Sequence, residues 1–292
     1  MKLKVIGVGD NVVDKYMHTK TMYPGGNAFN FSAYAQSLGA EASYMGVFGT
    51  DEAAAHVQSV AKELGIEMSH CRIVEGENGA AKISLVDGDR VFLGSNKGGV
   101  ARLHPLQFNE EDLAYLDGFD LICTSINSHI NPQLPKLKAL HPYVAYDFSI
   151  IETDEIFDAV CPHIDFAITS CGSAPIEKIQ EKCQRIHSRG CPYVIASRGS
   201  LGSAFSHEGR ITEHPAFTVE AIDTLGAGDS FLTAFLLNYV GWLKEQDSQK
   251  APSPEERNAA ILSAMEAGSR FAAKTCMVHG AFGHGKTFED AQ

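Results

Sequence analysis

Two glycines and an aspartate open an apolar run late in the chain, in DTLGAGDSFLTAFLL from Asp223 to Leu237. Small residues weaken a helix start, and a purely structural one would use a single capping side chain. A start built as Gly226-Ala227-Gly228-Asp229 instead leaves backbone N–H groups uncovered beside a carboxylate. That combination is an anion site with a base in it. Its N–H groups could hold the charge on a transferring phosphoryl group, while Asp229 takes a proton from a hydroxyl. A plain glycine-rich turn before a core helix is the competing reading.

Two further glycine patterns bear on the same chemistry. GVGDNV, after the opening strand, resembles the start of a dinucleotide fingerprint, but its third glycine is missing and no helix follows directly. GAFGHGKT, Gly280 to Thr287, matches the letter of the G-x-x-x-x-G-K-[ST] phosphate loop. That loop works only when a helix follows to hold the phosphates, and the sequence continues with FEDAQ alone. The match reads as chance.

The elements that must position these residues alternate. LKVIGVG, ASYMGVFG, DLICTS, YVAYDFS, DFAITS and YVIASRG read as buried strands. Between them lie helix-period segments: NAFNFSAYAQSLG, ended by Gly39; TDEAAAHVQSVAKELG, capped by Thr50 and stopped by Gly65; and APIEKIQEKCQRIHSRG. Such alternation predicts an α/β fold, a mostly parallel central sheet flanked by helices. One stretch breaks the rhythm. From about residue 70 to 100 the chain has strand-like runs without a helix, and KISLVDGDRVFL signals a hairpin turning at Asp87-Gly88. A small antiparallel β insert of this kind would form a lid over a cleft. Its face carries Ile83, Leu85, Val91 and Leu93, more apolar surface than a thin sheet should leave in water. All 292 residues read as one domain.

The formal net charge of −12 disfavours nucleic acid and anionic membranes as partners. No apolar run approaches membrane-spanning length, and no signal-peptide pattern follows MKLKVIGVGD. Seven scattered cysteines without a CxxC pair read as reduced thiols, so a cytoplasmic location is expected. Twelve histidines without metal-ligand spacing suggest no transition-metal site.

The pairing of PGGNAFN, Pro24 to Asn30, with DTLGAGDSF strongly resembles the two signatures of the ribokinase-like phosphofructokinase B family of carbohydrate kinases. The resemblance covers essentially the whole chain, including the order of strand, glycine-asparagine helix start, lid and catalytic loop. It implies a ribokinase-like fold, ATP with Mg2+, a small-molecule sugar substrate and a homodimer formed through the β lid. It makes Asp229 the catalytic base and Gly226, Ala227 and Gly228 the anion hole. Asp14, Gly25, Gly26, Asn27 and Asn30 would form the sugar side. SRGSLG resembles the nucleotide-side turn and places Ser197, Gly199 and Gly202 near ATP. HGAFG resembles the adenine-side segment, with Gly280 and Ala281 close to the base. Asp223 and Thr224 match positions that border a monovalent-cation (K+) site in some relatives.

Physical reasoning supports parts of this scheme. Asp14 and Asp147 follow predicted strands at their carboxyl ends, where open α/β sheets bind ligands. Asp14 could equally be a turn residue. For Asp147 the family's D-x-N-x-R pattern is not intact in DFSII. The family's N-x-x-E, which organises magnesium, is also missing from TSCGSAPIEK, where the glutamate is displaced to Glu177.

GVGDNVVDKY, a short early lid segment KYMHTKTMYPGG, DRVF, AYDFS and HGAFG are together similar to the branch that phosphorylates the sugar–amine adduct fructoselysine. For such a substrate the expected rim is Asn96, Lys97 and Arg90, with Asp87 and Asp89. A kinase of a simple ketose or pentose, or a non-catalytic sugar- or nucleotide-binding regulator on the same fold, remains the alternative.

Overall fold

The computed structural model describes residues 2–86, 89–246 and 252–289, without the side chains of residues 85, 86, 89 and 90. The first third of the chain forms β1 (Lys4–Gly9), β2 (Val12–Tyr16), β3 (Thr21–Gly25), α1 (Asn27–Ser37), β4 (Glu41–Phe48), α2 (Glu52–Leu64), β5 (Arg72–Ile73), β6 (Gly79–Val86) and β7 (Asp89–Ser95). The middle forms α3 (Val100–Leu103), α4 (Glu110–Leu116), β8 (Leu121–Ser125), α5 (Leu134–Lys138), β9 (Tyr143–Asp147), α6 (Asp154–Val160), β10 (Phe166–Ser170) and α7 (Ile176–His187). The last part forms β11 (Tyr193–Ser197), β12 (Ser203–His207), β13 (Arg210–His214), α8 (Ala227–Glu245), α9 (Pro254–Thr275) and β14 (Lys286–Thr287).

Nine strands make the central sheet, in the order β13-β12-β11-β10-β9-β8-β1-β4-β5. Every pairing in it is parallel except those of β12 with its two neighbours. The strands are apolar on both faces because helices cover both. Val5, Leu121, Ala145, Phe166 and Ile195 pack on one side against Phe231, Phe235, Tyr239 and Met265 of α8 and α9. On the other side Ile6, Val8, Ile122, Val144 and Tyr146 pack with Phe157, Ile179 and Ile186. From β1 the chain order runs one way through β4 and the other way through β8. Loops leaving β1 and β8 therefore diverge, and the crevice between them is where a sheet of this kind receives ligands.

The smaller sheet is larger than the expected insert. Its order is β14-β3-β2-β6-β7, so the early segment contributes two full strands and the end of the chain a third. It is also mixed, because β2 and β6 run parallel while the other pairs are antiparallel. Met22 and Val13 of this sheet share a core with Phe29 of α1 and Ala53 and Val57 of α2, which anchors it to the body.

The hairpin register changes one expectation. Ile83 lies opposite Phe92 and Ser84 opposite Val91. Directly opposed residues share a face, so Val91 cannot lie with Ile83. The expected turn at Asp87-Gly88 lies outside the described residues. At α2 the cap is Asp51, not Thr50, since the Ala54 N–H donates to Asp51 Oδ1 at 2.9 Å. None of the seven cysteines forms a disulfide. Among the described residues no helix is long and apolar enough to cross a membrane.

Candidate active site

The turn before α8 is the candidate catalytic element. Gly226, the N-cap, has φ 72°, and a Cβ there would stand 2.3 Å from the Tyr34 hydroxyl and 2.8 Å from the Ala281 Cβ. Only glycine fits both the angle and the space. Gly226 offers no capping side chain to a helix 19 residues long. Ala227 N–H reaches Thr224 O and Ser230 N–H reaches Gly226 O. The N–H groups between them, on Gly228 and Asp229, have no acceptor among the described residues. They form a positive helix end open to an anion.

This turn separates two cavities. Leu225, Gly226 and Asp229 line the first, of about 550 Å3, and Thr224, Ala227 and Gly228 line the second, of about 480 Å3. Adjacent residues of one turn thus face different chambers.

The first chamber sits at the crevice between β1 and β8, with the smaller sheet as one wall. Asp14 on β2 and Asp10 after β1 are buried in it. Asn27 and Asn30, one turn apart on α1, hold the two oxygens of Asp229: Asn27 Nδ2 donates to Oδ1 at 2.9 Å and Asn30 Nδ2 to Oδ2 at 2.7 Å. Burial pushes the Asp229 carboxyl up to about 6, against the lowering effect of these amide donors. At neutral pH it is ionised and fit to accept a proton.

Gly25 and Gly26 bring the backbone in closely. A Cβ on Gly25 would stand 2.3 Å from Asp14 Oδ2, and one on Gly26 2.8 Å from Asp10 O. Asp147 lies beyond Asn27, whose Nδ2 also donates to Asp147 Oδ2 at 3.2 Å. Burial, then the charge of Asp229, push the Asp147 carboxyl up to about 7. The two carboxylates therefore share one amide, and Asp147 is the one that more readily keeps a proton.

Ser197, Gly199 and Gly202 all line the second chamber. Phe217, Val219 and Ala272 give it apolar walls, and no ionisable acid or base other than Cys276 contributes to them. Gly280 and Ala281 stand elsewhere. Gly280 N–H donates to Asp223 Oδ2 at 2.9 Å, a Cβ on it would meet the Tyr23 ring at 2.1 Å, and Ala281 packs under Gly226. Asp223 acts as a pin: Oδ2 also accepts the Tyr16 hydroxyl at 2.6 Å, and Oδ1 the Leu225 N–H at 2.9 Å. A monovalent cation would have to share this occupied carboxylate. Thr224 faces the second chamber.

A magnesium ion finds no carboxylate on the walls of that chamber, and no group of three acidic, histidine or cysteine side chains among the described residues could hold a metal. The residues present do not build a metal site there, and no step is routed through one. The Arg90 side chain lies outside the described residues. In GAFGHGKT, Lys286 lies in β14 and pairs with Glu52 at 2.9 Å.

Sequence reasoning missed several wall residues. Asp10 accepts the Asn27 N–H at 2.7 Å and the Ser125 and Ser128 hydroxyls at 2.8 Å, thereby capping α1 from another segment. Its place after a strand was the signal that drew attention to Asp14. Asn127, His129 and Arg102 come from loops and a short helix whose folding no local pattern announces.

The chain belongs to the pfkB family of carbohydrate kinases, whose model matches residues 3–282. It is a phosphotransferase with an alcohol group as acceptor, on a ribokinase-like fold. It is 39% identical over 284 residues to fructosamine kinase FrlD of Bacillus subtilis, covering 97% of this chain and 94% of that one. It is 30% identical over 275 residues to fructoselysine 6-kinase of Escherichia coli, covering 94% and 98%. Among solved structures, the ribokinase of Giardia lamblia superposes with a TM-score of 0.79 at 17% identity, over 96% of this chain and 95% of that one.

Proposed function

We propose that this kinase transfers the γ-phosphoryl group of ATP to the primary hydroxyl of an amine-linked ketose, converting fructoselysine to fructoselysine 6-phosphate. The observation that carries the reading is the turn at 226–229, with Asp229 facing one chamber and Ala227 and Gly228 the other. A ketose hydroxyl in the first chamber and the terminal phosphate in the second would meet across it. The names of the two curated relatives support the amine-linked substrate.

In this reading the sugar's polyol end lies among Asp10, Asp14, Asn27 and Asn30, which can accept or exchange hydroxyl hydrogen bonds. Asp229 takes the proton of the reacting hydroxyl. The freed oxygen forms a bond to the γ-phosphorus as the bond to the β-phosphate oxygen breaks, giving the phosphate ester and ADP. The Gly228 and Asp229 N–H groups hold the charge carried by the phosphoryl oxygens. Ser197, Gly199 and Gly202 border the nucleotide. Asp147 keeps a proton near neutrality and so leaves the negative charge on Asp229.

The smaller sheet would close over the sugar and also join two copies. Its edge strand β7 exposes Leu93 at 55% and Phe92 at 65%, and an unpaired apolar edge is stabilised by a partner's copy. The reaction requires ATP and is placed in the cytoplasm.

The test is an ADP-release assay over free fructose, ribose, fructoselysine and other glycated amines. We expect kcat/KM for a glycated amine to exceed that for free fructose or ribose by at least about tenfold, some 1.4 kcal/mol. Equal efficiency with a free sugar would reduce the reading to a simple sugar kinase.

A further inference from the structure

Strand β2 links the first chamber to the turn at 226–229. Asp14 and Tyr16 stand two residues apart on it and so point to the same face of the smaller sheet. Asp14 lines the first chamber. Tyr16 is buried and donates its hydroxyl to Asp223 Oδ2 at 2.6 Å, a contact between residues 207 positions apart. Tyr23 of β3 meets the Tyr16 ring edge-on, with ring centres 5.1 Å apart. The phenol is thus fixed by packing, and its hydrogen bond goes to a carboxylate. Asp223 is itself buried, and its other oxygen accepts the N–H of Leu225, two residues on, at 2.9 Å. That local loop sets the approach to Gly226, whose φ of 72° begins helix α8. Tyr16, Asp223, Leu225 and Gly226 therefore form a continuous path from the smaller sheet to the turn that presents the Gly228 and Asp229 N–H groups.

We propose that Tyr16 is a positioning residue for phosphoryl transfer. Through Asp223 it holds the 226–229 turn in the shape that receives the phosphoryl oxygens, so the strand bearing Asp14 also sets the anion cradle. This inference rests on the turn acting as proposed above, and not on which sugar is bound. A carboxylate whose Oδ2 is held by a packed phenol is restrained from rotating, and its Oδ1 then meets the Leu225 N–H in a fixed direction. Gly280 N–H also reaches Oδ2, at 2.9 Å, from the segment that leads into β14 of the same sheet. Tyr23 packs against that segment too, since a Cβ on Gly280 would stand 2.1 Å from its ring. These contacts to Asp223 come from the smaller sheet or from the chain entering it. A shift of the sheet against the body is therefore passed to the turn. The N–H groups of the turn are needed most when charge develops on the transferring group, so loosening it costs rate more than binding.

The experiment measures steady-state kinetics and urea unfolding of Tyr16→Phe, with Val13→Ala for comparison. Phenylalanine keeps the ring against Tyr23 and removes only the hydroxyl. Val13 lies on the opposite face of β2, fully buried in the core that anchors the sheet. With ε-fructosyl-lysine or free fructose as acceptor, Tyr16→Phe should lower kcat at least about fivefold while KM for ATP and for sugar changes less than about threefold. Val13→Ala should unfold at lower urea but keep kcat within about twofold of wild type. In an Asp223→Asn background, adding Tyr16→Phe should slow the reaction by less than about twofold, because both changes act through one contact. An unchanged kcat in Tyr16→Phe would overturn the inference. So would an equal loss of kcat in Val13→Ala, since any loosening of the sheet would then have the same effect. Losses in Tyr16→Phe and Asp223→Asn that multiply would overturn it as well. If any of these occurs while Asp229→Asn still abolishes turnover, the proposed function stands without the inference. If Asp229→Asn keeps near-normal turnover, the proposed function itself fails and takes the inference with it.

Discussion

Replacing Asp147 with asparagine should make this protein more stable at alkaline pH. Asp147 is buried at the end of β9, its Oδ1 accepting the Ser149 N–H at 2.7 Å and its Oδ2 the Asn27 amide at 3.2 Å. Burial first, and the Asp229 charge second, raise its carboxyl from 3.8 to about 7. The folded protein thus binds this proton more tightly than the unfolded chain does. Stability from this group is fully present below the unfolded value, declines as pH rises towards about 7, and is flat above it. A gap of about three pH units, at about 1.36 kcal/mol each, sets the cost of the ionised group near 4 kcal/mol.

Asparagine removes that cost but turns an N–H2 towards the Asn27 N–H2, losing one hydrogen bond worth about 1–2 kcal/mol. The net gain for Asp147→Asn is therefore about 2–3 kcal/mol at about pH 8, shrinking below about pH 7 and reversing near about pH 5. Urea unfolding of wild type and variant across that range measures it directly. A stability difference that does not change with pH, or a variant less stable than wild type at pH 8, would refute the reasoning.

Asp229→Asn should leave both ligands bound and lower kcat by about a hundredfold or more, read by steady-state kinetics at saturating ATP and sugar. Wild-type kcat/KM should fall as pH drops through about 6, because the base must be ionised and its carboxyl is raised to about 6. Lys286→Ala should change the ATP KM by less than about twofold and stability by less than about 1 kcal/mol, since it breaks only an exposed ion pair. A large rise in KM would restore GAFGHGKT as a working phosphate loop. Sedimentation at micromolar concentration should show a dimer, and Leu93→Glu should shift it to monomer; a fully active wild-type monomer would exclude the interface.

The central sheet was legible because its strands are continuous apolar runs separated by helix-period segments, each burying both faces. The turn at 226–229 was legible because glycine there has a steric reason, as Tyr34 and Ala281 fill the space a side chain would need. The smaller sheet was read only where Asp87-Gly88 marks a turn. Its strands β2 and β3 were missed because VVDKY and TMYPG are short, and β14 because two residues carry no periodicity. The face assigned to Val91 failed for a specific reason: the pairing of Ile83 with Phe92 alternates it away from Ile83. Asp10, like the amide shared by Asp147 and Asp229, depends on contacts across more than a hundred residues. No local pattern carries such information.

In the proposed function, the charges around the turn would also decide which ligand enters which chamber. ATP is a polyanion, and in the first chamber its phosphates would meet Asp10, Asp14 and Asp229. In the second they meet no carboxylate and the uncovered N–H groups of a long helix. A polyol has the opposite preference, because it gains hydroxyl contacts from the carboxylates and carries no charge to be repelled. Under the proposed function the acidic wall would do two kinds of work: it would bind the sugar and turn the triphosphate away. Burial first, and the charge of Asp10 last, raise Asp229 into the range of a useful base. In the proposed function the carboxylates would sort the substrates, while burial, with a smaller push from Asp10, raises Asp229, and Asn27 and Asn30 hold its two oxygens.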